Sequence, residues 1–184
     1  TISDIPALAA IANEKGIKLV VDNTFTPMMV APAQWGAHVV VYSLTKFING
    51  KNDCVAGAIC ADKEFIDSLC NVNDGTAMLL SPSLDPLRSS SILKNMHTLH
   101  LRMKQHSKNA AFLADRFREA GFRVIYPGFT DHPGHQVLEK MKDEYYDIRG
   151  WDRATGIPTP QRLLKLDLPD IANEVVDPWM PESG

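Results

Sequence analysis

Residues Val39 to Gly50 read V-V-V-Y-S-L-T-K-F-I-N-G, and this stretch decides how the rest of the chain is laid out. Three β-branched residues in succession, Val39 to Val41, predict a short buried strand bounded by polar residues. The strand runs into Ser43, Thr45 and Lys46, which puts two hydroxyls and an amine at its carboxyl end. In open α/β sheets, ligands gather at that end. A lysine there is a compact charge on a flexible stem, and partial loss of water lets it shed its proton and attack a carbonyl. The plainer alternative is a surface lysine that happens to follow a strand.

Working upstream, Lys18 to Thr24 (K-L-V-V-D-N-T) is a second short apolar strand, and it delivers Asp22 to its own carboxyl end. The interval from Asp22 to Lys46 has room for a loop and a short helix. A right-handed parallel crossover of that length brings both side chains to one sheet edge. An aspartate and a lysine so placed match the needs of pyridoxal phosphate. The lysine holds the aldehyde as an imine, and the carboxylate keeps the pyridine nitrogen protonated so that the ring takes up electrons. The hydroxyls of Ser43 and Thr45 suit a phosphate. For Asp22 the alternative is a capping or turn role, since D-N-T is rich in capping residues.

D-N-T-F-T-P from Asp22, followed by Y-S-L-T-K-F-I-N-G from Tyr42, resembles the cystathionine/methionine metabolism (trans-sulfuration) family of pyridoxal-phosphate enzymes. That family includes cystathionine γ-synthase, cystathionine γ-lyase and methionine γ-lyase. The resemblance runs from about Ile5 to about Gln136 and takes in D-C-V-A-G-A, T-L-H-L-R-M-K-Q-H and Y-P-G-F-T-D-H-P-G-H. It implies Lys46 as the lysine bound to the cofactor, Asp22 as the partner of the pyridine nitrogen, and Ser43 and Thr45 as phosphate ligands. It implies a lyase or transferase of methionine and cysteine metabolism, acting by γ-elimination or γ-replacement on cystathionine, methionine or an activated homoserine. It also implies an amino-acid substrate and a homotetramer built as a dimer of dimers. The rival from another class is a catalytically inactive remnant or chimeric chain.

The fold expected is α/β: a fragment of a fold-type I large domain, a mostly parallel sheet flanked by helices, with the start of a small α+β domain and a helical tail. Residues 1–120 form the partial cofactor domain with its linking helix, 121–137 begin the small domain, and 138–184 form an atypical tail. From about Leu138 to about Leu168 the tail resembles instead the C-terminal segment of aldehyde:ferredoxin oxidoreductases, although no cysteine follows Cys70 to ligate a cluster. A foreign tail is expected to leave the stability of the body unchanged. The chain opens on a crossover helix, which reads as a truncated enzyme. The family's upstream phosphate loop and stacking aromatic, and its C-terminal arginine for the substrate carboxylate, find no counterpart, so no turnover is expected from this chain alone. Lys94-Asn95 stands where the resemblance calls for Arg-Gly.

Of 184 residues, 45% are apolar and 22% charged, with a net charge of −3, which favours neither nucleic acid nor an anionic membrane as partner. No apolar run approaches the length that spans a bilayer. Cys54, Cys60 and Cys70 form no metal-ligand spacing and read as buried thiols of a reducing, cytoplasmic compartment. His97, His100 and His106 lack the partners of a metal site, so no metal is expected.

The remaining elements follow from caps and periodicity. A helix is predicted over Ile2 to Lys15, with Asp4 as cap, Pro6 in the first turn and Gly16 as stop. A small-residue strand over Val55 to Ala61 reads as antiparallel or closely packed. Lys63 to Val72 is helical. Leu84 to Ala120 carries apolar residues at threes, fours and sevens, for one amphipathic helix or two in tandem. Phe122 to Tyr126 alternates as a strand, and the histidines of D-H-P-G-H after it read as structural. A helix over Val137 to Tyr146, a turn at Arg149 to Gly156, a helix started by Thr159-Pro160 and a frayed end with Pro169, Pro178 and Pro181 complete the chain.

Overall fold

The computed structural model describes residues 2–174. Helix α1 (Ile5–Glu14) starts where Asp4 Oδ1 accepts the Ala7 N–H at 3.1 Å, with Pro6 in the first turn. It ends in Gly16, whose φ of +64° suits a residue without Cβ. The chain then forms β1 (Val20–Asp22), a 3₁₀ turn (Pro32–Trp35) and β2 (Val39–Ser43). β1 and β2 are parallel, with Val20 opposite Val39 and Asp22 opposite Val41, so the crossover does bring their carboxyl ends to one edge. β3 (Gly57–Ala61) pairs with the other side of β2 in antiparallel register, Ser43 opposite Gly57, giving the order β1-β2-β3.

β2 is central because it is the most apolar of the three, with Val39 and Val40 both almost fully buried. Val40 and Tyr42 share a face, as period two requires. That face packs against Ile5 of α1, Val30, Trp35 and Ala37 of the crossover, and Met141 from far along the chain. A second cluster forms beyond the strand's carboxyl end, where Ile48 meets Ile92, Leu99 and Met103, with Tyr42 and Met29 touching both clusters.

Helices α2 (Lys63–Leu69) and α3 (Thr76–Leu80) follow β3, α2 capped by Asp62, whose Oδ1 accepts the Phe65 N–H at 2.7 Å. The long periodic segment is two helices in tandem, α4 (Pro86–Met96) and α5 (Leu99–Glu119). Asp85 opens α4 by accepting the Leu87 and Arg88 N–H groups at 3.1 and 3.0 Å. The apolar register carries across the break, so Ile92, Leu99 and Met103 line one seam.

Four expectations need correction. Phe122 to Tyr126 forms no strand, and Phe122 and Ile125 are exposed. Alternation marks a strand only where a partner edge is within reach. The tail does not stand apart from the body. In α6 (His135–Arg149), Met141 is buried in the first cluster and Val137 packs against it. Pro169 opens a helix, α8 (Pro169–Glu174), after α7 (Pro160–Lys165), in keeping with proline's fitness for a first helical turn. Pro178 and Pro181 lie outside the described residues. Finally, Cys60 and Cys70 are exposed and Cys54 half-buried, so they are not the buried thiols expected.

The turn after α6 and the cap of α7 match the reading from sequence. Gly150 takes φ +66°, Trp151 bridges Pro158, and Thr159 Oγ1 accepts the Arg162 N–H at 3.2 Å. The histidines of D-H-P-G-H serve the loop: His132 Nδ1 accepts the Gly134 N–H at 2.9 Å, and His135 Nδ1 lies 3.1 Å from Pro127 O.

Candidate active site

The chain leaves β2 through a single π turn, Leu44–Ile48. The Asn49 N–H reaches back five residues to Leu44 O at 2.9 Å, and the Gly50 N–H closes on Lys46 O at 2.7 Å. Lys46 itself, at φ −86° and ψ −120°, departs from helical geometry and kinks the turn at the lysine. Isolated π turns recur at functional sites because the extra residue frees one backbone position from the regular ladder. Lys46 is exposed, while Ser43 and Thr45 are half-buried.

Thr24 ties the two strand ends together. Its Oγ1 accepts the Ser43 N–H at 2.7 Å, and its own N–H donates to Asp22 Oδ1 at 2.9 Å. The Thr24 hydroxyl, and after it the Thr24 N–H, hold the Asp22 carboxyl below the usual carboxylate range. Asp22 is an exposed carboxylate, and both contacts favour its ionised form. Beneath it Asn23 is buried, donating from Nδ2 to Tyr42 Oη at 3.1 Å and Val30 O at 3.3 Å.

Thr45 is anchored to the opposite side. Its Oγ1 accepts the Ala56 N–H at 2.9 Å and lies 3.3 Å from Ala56 O. The second contact is long, so the hydroxyl hydrogen can turn to a better acceptor. A cavity of about 400 Å³, open to solvent, lies beside it, lined by Thr45, Asn52, Asp53, Cys54, Val55 and Arg88. Of the four residues singled out in the sequence, only Thr45 lines it. Among the described residues, no three His, Cys, Asp or Glu side chains gather as metal ligands.

Asp22, Ser43, Thr45 and Lys46 thus belong to one edge of the sheet, carried by the ends of two paired strands and the π turn that follows. These residue types fit pyridoxal phosphate: an anchored anion for a protonated ring nitrogen, an amine for the aldehyde, and hydroxyls for the phosphate. Sequence reading missed a second set of residues behind the turn. Asn49 is completely buried, donating from Nδ2 to Asp53 Oδ1 at 2.6 Å and accepting from Asn95 Nδ2 at 2.8 Å. Arg102, on α5, donates to Phe47 O and, at 3.0 Å, to Ile48 O. The available signal was an arginine three residues after Leu99, on the apolar stripe of a helix, where a charge needs partners.

The family described as Cys/Met metabolism PLP-dependent enzyme matches residues 1–156, further than the resemblance read in the sequence, which runs to about Gln136. The methionine gamma-lyase of Arabidopsis thaliana is 41% identical over 150 residues, 82% of this chain and 34% of its own length. The cystathionine gamma-synthase of Mycobacterium tuberculosis is 36% identical over 147 residues, 77% of this chain and 36% of its own. Among solved structures, a methionine gamma lyase from Micromonospora echinospora superposes with a TM-score of 0.69 at 30% identity, covering 77% of this chain and 38% of that one. The chain therefore spans between a third and two fifths of the length of these relatives.

Proposed function

The chain belongs to the Cys/Met metabolism PLP-dependent enzyme family, and on that footing we propose that Lys46, Asp22, Ser43 and Thr45 are its share of a pyridoxal-phosphate site acting on a sulfur amino acid. The observation that carries the proposal is the shared sheet edge: β1 and β2 are parallel neighbours, Asp22 ends one, and Lys46 lies in the turn that follows the other. The cofactor, when bound, supplies a ring that withdraws the electron pair left on a substrate carbon. Lys46 would hold the cofactor's aldehyde carbon through Nζ and, once displaced by a substrate amine, would carry protons at the substrate's α- and β-carbons. Asp22 would keep the proton on the pyridine nitrogen, a task suited to a carboxylate that Thr24 anchors and biases toward its ionised form. Thr45 would turn its hydroxyl from Ala56 O to a phosphate oxygen, with Ser43 beside it.

The relatives' names point to γ-elimination or γ-replacement on methionine, cystathionine or an activated homoserine as the reaction class. A homotetramer and a cytoplasmic setting go with the same reading. No helix among the described residues is long and apolar enough to cross a membrane.

The test is chemical. Incubation with pyridoxal phosphate followed by borohydride reduction should fix the label on the peptide containing Lys46, and Lys46→Ala should lose it. Label spread over the surface lysines, or unchanged in Lys46→Ala, would overturn the assignment. In a protein carrying the complete site, Asp22→Ala should depress activity far more than Asp22→Glu.

A further inference from the structure

The turn that presents Lys46 is gripped from behind by a polar cluster that none of the cofactor chemistry uses. Arg102 donates to Phe47 O and Ile48 O, the two carbonyls immediately after Lys46, and also to Asn95 O at 3.2 Å and to Thr98 Oγ1, from Nε, at 3.1 Å. One guanidinium thus joins the π turn to the break between α4 and α5. Asn95, at the same break, donates to Asn49 Oδ1, and Asn49 is fully buried. The two bridges run in parallel from the helix break to the residues on either side of Ile48.

Gly50 shows how closely the parts are fitted. At φ +69° it takes a conformation that side chains disfavour, and a Cβ there would lie 2.3 Å from Arg102 Nη1. The turn therefore closes only with the guanidinium seated against a bare backbone. A flat fork presents its donors to two successive carbonyls at a fixed spacing and in one plane, whereas an ammonium is a point charge on a flexible stem whose three donors fix no such geometry.

We propose that Arg102, with Asn95 and Asn49, is a positioning device for Lys46: it fixes the π turn so that the lysine meets the cofactor's aldehyde at one angle. The inference rests on the proposed function of Lys46. It also gives a role to Asn95, which stands where the motif calls for glycine: the chain has here a second bridge, from a side chain that glycine lacks.

The test uses the full chain as unaltered protein, Arg102→Lys, Arg102→Met and Asn95→Gly. Two readouts are taken: hydrogen exchange of the Asn49 and Gly50 amides without cofactor, and the pH midpoint of the visible band after loading with pyridoxal phosphate. Arg102→Met should speed exchange at those two amides about tenfold or more while the β1–β2 amides keep their protection. Both Arg102 variants should shift the midpoint of the band, with Arg102→Lys failing to restore it, because an ammonium keeps the charge without the rigid, planar spacing of donors that fixes the turn. Asn95→Gly should shift both readouts in the same direction by less. A merely structural arginine would lower thermal stability and leave the midpoint of the folded, loaded protein unmoved, and that result would overturn the inference while labelling of Lys46 in the unaltered protein upholds the function. Absence of label on Lys46 in the unaltered protein would overturn both.

Discussion

The two seams that hold helices against the central strand are built from opposite materials. On the face of β2, α6 and α1 meet the sheet through side chains without charge: Met141, Ile5, Trp35, Val40 and Ala37. Past the strand's carboxyl end, α4 and α5 close on the π turn through an apolar stripe and, beside it, the Arg102, Asn95 and Asn49 hydrogen bonds. Apolar contact has magnitude and little direction, whereas hydrogen bonds to particular carbonyls fix a geometry. The first seam is suited to holding the fold together. The second is suited to holding one turn in one shape, and that turn carries the lysine.

Cutting the chain after Gly134 should produce the largest effect. It removes Met141, Val137 and the buried Tyr145, strips a face of the sheet, and should abolish a cooperative thermal transition. An unchanged melting curve would restore the view of the tail as independent of the body.

Next in size is a matched pair. Met141→Ala and Met103→Ala each open a cavity in a buried cluster and should each cost about 2–5 kcal/mol in urea unfolding. Their effects on cofactor should part. Met103 lies in the cluster with Ile48, so its loss should slow labelling of Lys46, while Met141→Ala should label at the unaltered rate below its unfolding midpoint. Equal labelling in both would erase the distinction between the seams.

A smaller effect is expected at Asn49. Its replacement by alanine leaves the half-buried Asn95 amide without its acceptor, while the exposed Asp53 turns to water, and should cost about 1 kcal/mol. Asn49→Asp keeps the acceptor for Asn95 but sets a carboxylate against Asp53, and it should be no better at neutral pH.

What the sequence revealed follows the same division. The strands of the sheet, the caps at Asp4 and Thr159, and the tandem helices are local matters of period and capping, and each was legible within a few residues. The sheet edge with Asp22 and Lys46 was legible because two short apolar runs at crossover spacing admit few topologies. The clamp was not, since Arg102 and Ile48 are 54 positions apart and nothing in a single sequence couples them. Phe122 to Tyr126 misled for the reverse reason: its pattern was right for a strand, but pairing depends on a neighbour that a pattern cannot supply. α6 was found as a helix, while its place in the core depended on Val40 and Trp35 offering Met141 a site.

The smallest predicted effect bears on the front of the turn rather than its back. Thr24 accepts the Ser43 N–H and holds the Asp22 carboxyl low, so Thr24→Val should act in two separable ways. Loss of the acceptor for Ser43 should cost about 1 kcal/mol at all pH values. Loss of the hydroxyl should let the Asp22 pKa rise toward the ordinary value of about 3.9. Because the folded pKa of Asp22 lies below its unfolded value, its contribution to stability is present above about pH 4 and disappears as pH falls through the folded value. The acid limb of the stability curve should therefore be shallower in Thr24→Val, and Thr24→Ser should keep the original slope. Asp22 is exposed, so solvent screening keeps the difference slight, and carboxyl NMR is the measurement that resolves it. At neutral pH Asp22 is ionised in all three proteins, and the lysine should label equally. Weaker labelling in Thr24→Val alone would mean that the hydroxyl sets the orientation of Asp22 as well as its charge, and that the front of the site, like its back, is held by directed bonds.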